Sequence, residues 1–247
     1  MPALRVSGLT FAYNGGPLLE EISFELRSGD FLCVLGPNGS GKSTLLRLLT
    51  GYLKPRSGSV RLGGEEVSAQ RPERLARLAA YVASETFTPY DFSVREAVLL
   101  GRTARAGLWR DYSAEDAAAA DRALEEAGIS RLAGRSINTL STGERQLAFI
   151  AQALAQEAKV LLLDEPTSHL DLKYKSAVMA LLKRLAGKGL AVAAVLHEPA
   201  LAALGCGKAL VLRGGGKYSF GPASEMLRPS FLSAAYGVPP DSPLLPK

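Results

Sequence analysis

The sequence predicts an α/β fold: a mostly parallel sheet with flanking helices, joined to an N-terminal antiparallel β subdomain and an inserted helical subdomain. Three observations lead there. The runs Phe31 to Leu35, Val160 to Leu163 and Leu190 to Leu196 are apolar throughout, as strands covered on both faces must be. Helical patterns alternate with those runs, and a strand, helix, strand order builds parallel sheets through right-handed crossovers. The first thirty residues instead alternate apolar and polar positions between turn residues, which reads as antiparallel pairing.

Taken in order, Leu4-Arg5-Val6 and Leu9 to Tyr13 read as strands before the turn Asn14-Gly15-Gly16-Pro17, and Ile22 to Leu26 alternates again. After Ser28-Gly29-Asp30 comes the first buried run, then a glycine-rich turn, then the helical segment STLLRLLTGYL. Helical patterns dominate from Ala69 to Gly134, including Val94 to Arg102 and the alanine-rich Ala114 to Gly128. They place an inserted helical subdomain at about 86–157. Beyond it the pattern predicts a helix over 144–157, a strand over 160–164, a helix over 172–186, a strand over 190–196 and a short strand from Ala209 to Leu212. One domain is expected over 1–238, followed by a proline-rich tail, 239–247, expected to be loosely ordered.

With 47% hydrophobic and 21% charged residues in 247, the composition is that of a folded protein and excludes a disordered one. No stretch approaches the roughly eighteen apolar residues a spanning helix needs. The opening MPALRVSGLT lacks the apolar block of a signal peptide, so the chain is expected to stay in the cytosol. Cys33 and Cys206 are too few for a disulfide framework and read as reduced thiols in or near the core. The net charge of +5 suits an anionic ligand, an anionic surface or nucleic acid. Basic residues here are scattered and carry no interleaved aromatics, which argues against nucleic acid.

Gly36-Pro37-Asn38-Gly39-Ser40-Gly41-Lys42-Ser43 fits the phosphate-loop pattern G-x-x-x-x-G-K-[ST], and it lies between a buried strand and a helix as that pattern requires. Glycines let the backbone wrap a phosphate with its amides pointing inward, and the helix start adds unpaired amides and the positive end of its dipole. Lys42 is expected to reach the β and γ phosphates, Ser43 to offer its hydroxyl to Mg²⁺, and Thr44 to stand near the α phosphate. A second element is Asp164-Glu165, at the carboxyl end of the run Val160 to Leu163, where α/β sheets bind ligands. Asp164 is expected to hold Mg²⁺ and Glu165 to orient and deprotonate the attacking water.

Between these elements lies Leu140-Ser141-Thr142-Gly143-Glu144-Arg145-Gln146, which resembles the LSGGQ signature of ATP-binding-cassette (ABC) proteins. Ser141 and Thr142 are good caps for a helix beginning near Glu144, and Gly143 permits close backbone approach to an anion. The resemblance runs from Leu4 to about Val238 and implies a head-to-tail dimer of two copies enclosing two ATP molecules. It further implies that Tyr13 stacks on adenine, that Asp171 belongs to the loop through which the two copies communicate, and that His197 contacts the γ-phosphate and the catalytic carboxylate. His169, where the family commonly has alanine, reads as a surface or interface residue.

One position departs from the pattern. Where the family has a glutamine that touches Mg²⁺ and the attacking water, this chain has Ser84, followed by Glu85. Ser84 is too short to span the same gap without water. The segment Thr88 to Arg102 and the ending Phe231 to Gly237 are similar to importers of ferric siderophores, haem, cobalamin or molybdate. That resemblance implies separate membrane-spanning permease subunits, an external substrate-binding protein, and a peripheral place on the cytoplasmic face of the inner membrane. The alternative is a soluble cassette ATPase serving a cytosolic scaffold such as iron–sulfur cluster assembly.

Overall fold

In a computed structural model the described residues are 1–84, 90–106, 111–239, 241, 242 and 245. The first half runs β1 (Leu4–Phe11), β2 (Leu19–Leu26), β3 (Phe31–Leu35), α1 (Lys42–Leu49), β4 (Ser57–Leu62), β5 (Glu65–Glu66), α2 (Pro72–Leu78) and β6 (Ala79–Val82). Then come α3 (Val94–Leu99), α4 (Thr103–Ala106), α5 (Ala114–Glu126), α6 (Thr142–Ala155), β7 (Val160–Asp164) and α7 (Leu172–Gly187). The chain continues with β8 (Ala191–Val195), α8 (Pro199–Ala203), β9 (Lys208–Gly214), β10 (Lys217–Pro222), α9 (Ala223–Met226) and α10 (Pro229–Tyr236).

The alternating N-terminal segments form a four-stranded antiparallel sheet in the order β2-β1-β4-β5. The two strands expected before Asn14 are one, interrupted at Gly8, where φ of +57° and a shift of register mark a bulge. Gly58 passes so close to the Gly8 carbonyl that a β-carbon there would collide with it. β4, β5 and β10 were not expected. Val60 and Leu62 are the only apolar residues in β4, too few to register as an alternation.

The apolar runs build the second sheet, β10-β9-β3-β8-β7-β6, parallel except for the hairpin β9-β10. It divides two cores. Leu32, Val34, Leu162, Ala193, Val195 and Leu210 pack with α1 and the antiparallel sheet on one face. Cys33, Leu35, Leu161, Leu163, Ala194 and Val211 pack with α6, α7 and the helices of the other face. Cys33 is buried, and it and Cys206 are free thiols as expected. No helix among the described residues is long and apolar enough to cross a membrane. Of the proline-rich tail, Leu245 is buried against the second core.

Between β6 and β7, α3 and α5 pack on α6. A buried ion pair ties them to it. Arg102 Nε donates to Asp116 Oδ1 at 2.8 Å, while its Nη1 donates to the Ala155 carbonyl at 2.8 Å and to Glu157 Oε2 at 2.7 Å. Asp116 also completes the capping box of α5 with Ser113. The Arg102 and Ser113 hydrogen bonds hold the Asp116 carboxyl at about 2, below the usual carboxylate range.

Removing one partner of a buried pair strands the other charge, so Asp116→Ala is expected to lower unfolding stability by about 3 kcal/mol in urea titrations. Because the folded-state pKa is depressed, this contribution is complete above about pH 4 and lost as pH falls toward 2. The wild-type chain is therefore expected to lose more stability than Asp116→Ala over that window, read by circular dichroism.

Candidate functional site

The loop after β3 reaches α1 through backbone angles that only glycine adopts easily: φ is +145° at Gly36, +77° at Gly39 and +98° at Gly41. It is also pressed against its surroundings, since a β-carbon on Gly36 would collide with the Leu212 carbonyl and Ser40 Oγ. Lys42, 6% exposed, curls over the loop and donates through Nζ to the carbonyls of Gly36 at 2.9 Å and Pro37 at 3.0 Å. Burial pulls its ammonium below the usual lysine range, against the opposing pull of the Glu165 and Asp164 carboxylates.

Asp164 ends β7, the strand separated from β3 by β8 alone, and Glu165 is the next residue. Asp164 is buried. Its Oδ1 accepts from Ser43 Oγ at 3.0 Å and its Oδ2 from the Tyr81 hydroxyl at 3.3 Å. Burial raises the Asp164 pKa, partly offset by those two hydrogen bonds. Tyr81 is pushed up to about 12, first by burial and then by the charge of Asp164.

Glu165 takes φ of +53°, a left-handed conformation costing a non-glycine residue on the order of 1 kcal/mol. Two neighbours fix its carboxylate: His197 Nε2 lies 2.6 Å from Oε1, and Ser168 Oγ donates to Oε2 at 3.2 Å. His197 is delivered by β8, two residues beyond its end.

Tyr13 stands over the start of α1, its hydroxyl 3.3 Å from Thr44 Oγ1 and its ring edge-on to Phe11. The ring is 52% exposed, so one side is open. Tyr13, Asn38, Gly39, Gly41, Lys42, Ser43, Thr44, Glu165 and His197 line one cleft of about 640 Å³, within the range of small-molecule sites. Next to it Ser40 Oγ is buried with no partner among the described residues.

Other expected residues lie away from the cleft. α6 begins at Thr142, two residues before the sequence reading, because Ser141 is the cap: Ser141 Oγ accepts the Glu144 amide at 3.2 Å and Glu144 closes the capping box. Ser141 and Thr142 are exposed, whereas Gly143 is buried under the Tyr174 ring, where a β-carbon would collide. Asp171 caps α7, accepting the Tyr174 amide at 2.9 Å. His169 is exposed with φ of +62°. Ser84 is exposed beyond the end of β6, and Glu85 falls outside the described residues.

Residues 19–168 match the family model described as ABC transporter. The chain belongs to the ABC transporter family. It is 37% identical over 236 residues to the ferric enterobactin transport ATP-binding protein FepC of Escherichia coli, covering 95% of this chain and 87% of that one. It is 38% identical over 214 residues to the ABC transporter ATP-binding protein YvrA of Bacillus subtilis, covering 86% of this chain and spanning about half of YvrA, 48%. Among solved structures, a metal-chelate-type ABC transporter in an inward-facing conformation superposes with a TM-score of 0.86 at 33% identity, over 97% of this chain and 90% of that one.

The ligands of ABC ATPases are ATP and Mg²⁺, and the cleft suits both. A glycine cradle, a buried lysine and the unpartnered Ser40 hydroxyl match a polyphosphate. Ser43 Oγ and Asp164 Oδ1 bring two hard oxygen donors together, as Mg²⁺ prefers.

Tyr81 and Ser168 were not anticipated as parts of the site. The signal for Tyr81 was strand register, invisible without the pairing: it sits opposite Leu162, so it shares a sheet face with Asp164 two residues on. For the signature, Gly143→Ala is expected to cost about 1–3 kcal/mol by overpacking against Tyr174. In a urea-denaturation cycle, Gly143→Ala with Tyr174→Ala is expected to cost less than the sum of the two.

Proposed function

We propose that this chain binds ATP with Mg²⁺ and hydrolyses it as the motor subunit of an importer for a metal chelate: a ferric siderophore, haem, cobalamin or molybdate. The observation that carries the reading is the single cleft uniting Lys42, Ser43, Glu165 and His197 beside Asp164.

In this reading the amides of Gly36, Pro37, Asn38, Gly39, Ser40 and Gly41 and the start of α1 cradle the phosphates. Lys42 exchanges its two carbonyl partners for β and γ phosphate oxygens, and Thr44 stands by the α phosphate. The open side of Tyr13 receives adenine. Ser43 and Asp164 would hold the metal, and Ser84, too short to touch it directly, would act through water; the metal would supply positive charge that offsets the phosphates. Glu165 takes a proton from the attacking water, its carboxylate held in place by His197 and Ser168. Its left-handed backbone is strain of the kind concentrated at working sites.

None of Ser141, Thr142 and Gly143 lines the cleft; Ser141 and Thr142 are exposed at the start of α6 while Gly143 is covered by Tyr174, and a helix start of this kind attracts anions. A second copy placed head-to-tail would bring that start to the γ-phosphate, with Asp171 at the shared seam. Membrane permease subunits are proposed to dock in a groove along α2, β6, α4 and α6, where Tyr52, Tyr81 and Leu100 expose apolar surface. This would hold the chain on the cytoplasmic face of the inner membrane, while an external binding protein serves the permease. The names of FepC and of the metal-chelate-type structure support the cargo class.

Glu165→Gln is expected to lower kcat about 10²–10⁴-fold while leaving ATP affinity within a few-fold, measured by phosphate release and by equilibrium nucleotide binding. Vigorous turnover by this variant would exclude Glu165 as the base. Purification of the chain from membranes is expected to bring a multi-spanning partner with it, and a partner that is only soluble would remove the importer reading.

A further inference from the structure

Asp164 has two oxygens, and the structure gives each a different hydroxyl: Ser43 on Oδ1 at 3.0 Å and Tyr81 on Oδ2 at 3.3 Å. With Asp164 only 2% exposed, these bonds determine how its carboxylate is turned. Tyr81 reaches it through backbone pairing. In the parallel ladder of β6 with β7, Tyr81 lies opposite Leu162 and Val82 opposite Leu163, so Tyr81 projects to the face that carries Asp164. Arg47, one turn beyond Ser43 on α1, adds positive charge that acts on both the Tyr81 hydroxyl and Asp164.

The far side of the Tyr81 ring is not enclosed. It is 37% exposed and lines the groove beside Ala83 and Gln156. Ser84, by contrast, is exposed beyond the end of β6 and makes no hydrogen bond among the described residues. A group that touches both the metal-holding carboxylate and the groove is therefore present, but it lies in the strand and not in the loop after it.

We propose that Tyr81 is a positioning residue for the metal, turning the Asp164 carboxylate toward Ser43 from the floor of the groove and taking over work for which Ser84 is too short. The proposal rests on the reading of Ser43 and Asp164 as metal holders. Hydrogen-bond partners of metal-ligating carboxylates set their orientation, and losing one typically lowers metal affinity about 10–100-fold. A body seated in the groove would press on a ring whose hydroxyl is one hydrogen bond from Asp164.

The test uses the full chain with a non-hydrolysable ATP analogue bound and Mn²⁺ as a paramagnetic probe, free Mn²⁺ being read by electron paramagnetic resonance. Tyr81→Phe keeps the ring and removes the hydroxyl. It is expected to raise the Mn²⁺ dissociation constant about tenfold, with analogue affinity in the presence of chelator unchanged and Ser84→Ala having a smaller effect on Mn²⁺. Unchanged Mn²⁺ affinity in Tyr81→Phe, an equal loss in Ser84→Ala, or a matching loss of metal-free nucleotide binding would each overturn the proposal. Failure of the wild-type chain to bind either analogue or Mn²⁺ would instead overturn the underlying nucleotide site.

Discussion

Parallel strand register sets the position of nearly every group in the cleft. Val34 in β3 pairs with Val195 in β8, and Val195 pairs with Asp164 in β7, so three strands are level at their carboxyl ends. Gly36 and His197 each stand two residues past that level, and Glu165 stands one past Asp164. A one-residue slip in any of these strands would turn its side chains to the opposite face and empty the cleft of that partner. Complete burial of both faces is what forbids the slip: alternate residues of β3, β7 and β8 belong to two different cores.

The same sheet explains why the helical face is built around α6. Its amino end is the exposed signature start, capped by Ser141 and Glu144, and its carboxyl end is held by Arg102 through the Ala155 carbonyl. Its flank packs on α3 and α5. The Tyr174 ring, in the first turn of α7 that Asp171 caps, lies on Gly143 and joins the signature to α7.

Much of this was legible in the sequence because it depends on local patterns. Unbroken apolar runs announced β3, β7 and β8, and the phosphate-loop spacing announced Gly36 to Ser43 between a strand and a helix. Elements that depend on partners far along the chain were not legible. β4 carries two apolar residues and exists because β1 offers it a ladder; the two strands expected before Asn14 are one, because Gly8 makes a bulge that looks like a break. Tyr81 illustrates the same limit at the site: its relation to Asp164 is a matter of which residues face each other across β6 and β7, and no spacing along the chain encodes it.

No signature residue lines the cleft of its own chain, and a head-to-tail pair of copies would bring the two together. Sedimentation of Glu165→Gln with ATP and Mg²⁺, alone and with Ser141→Arg added, tests that join most directly. Pairing by the first protein and its loss in the second, with ATP still bound by both, is the predicted result. Pairing that survives Ser141→Arg, or none in either protein, would contradict it.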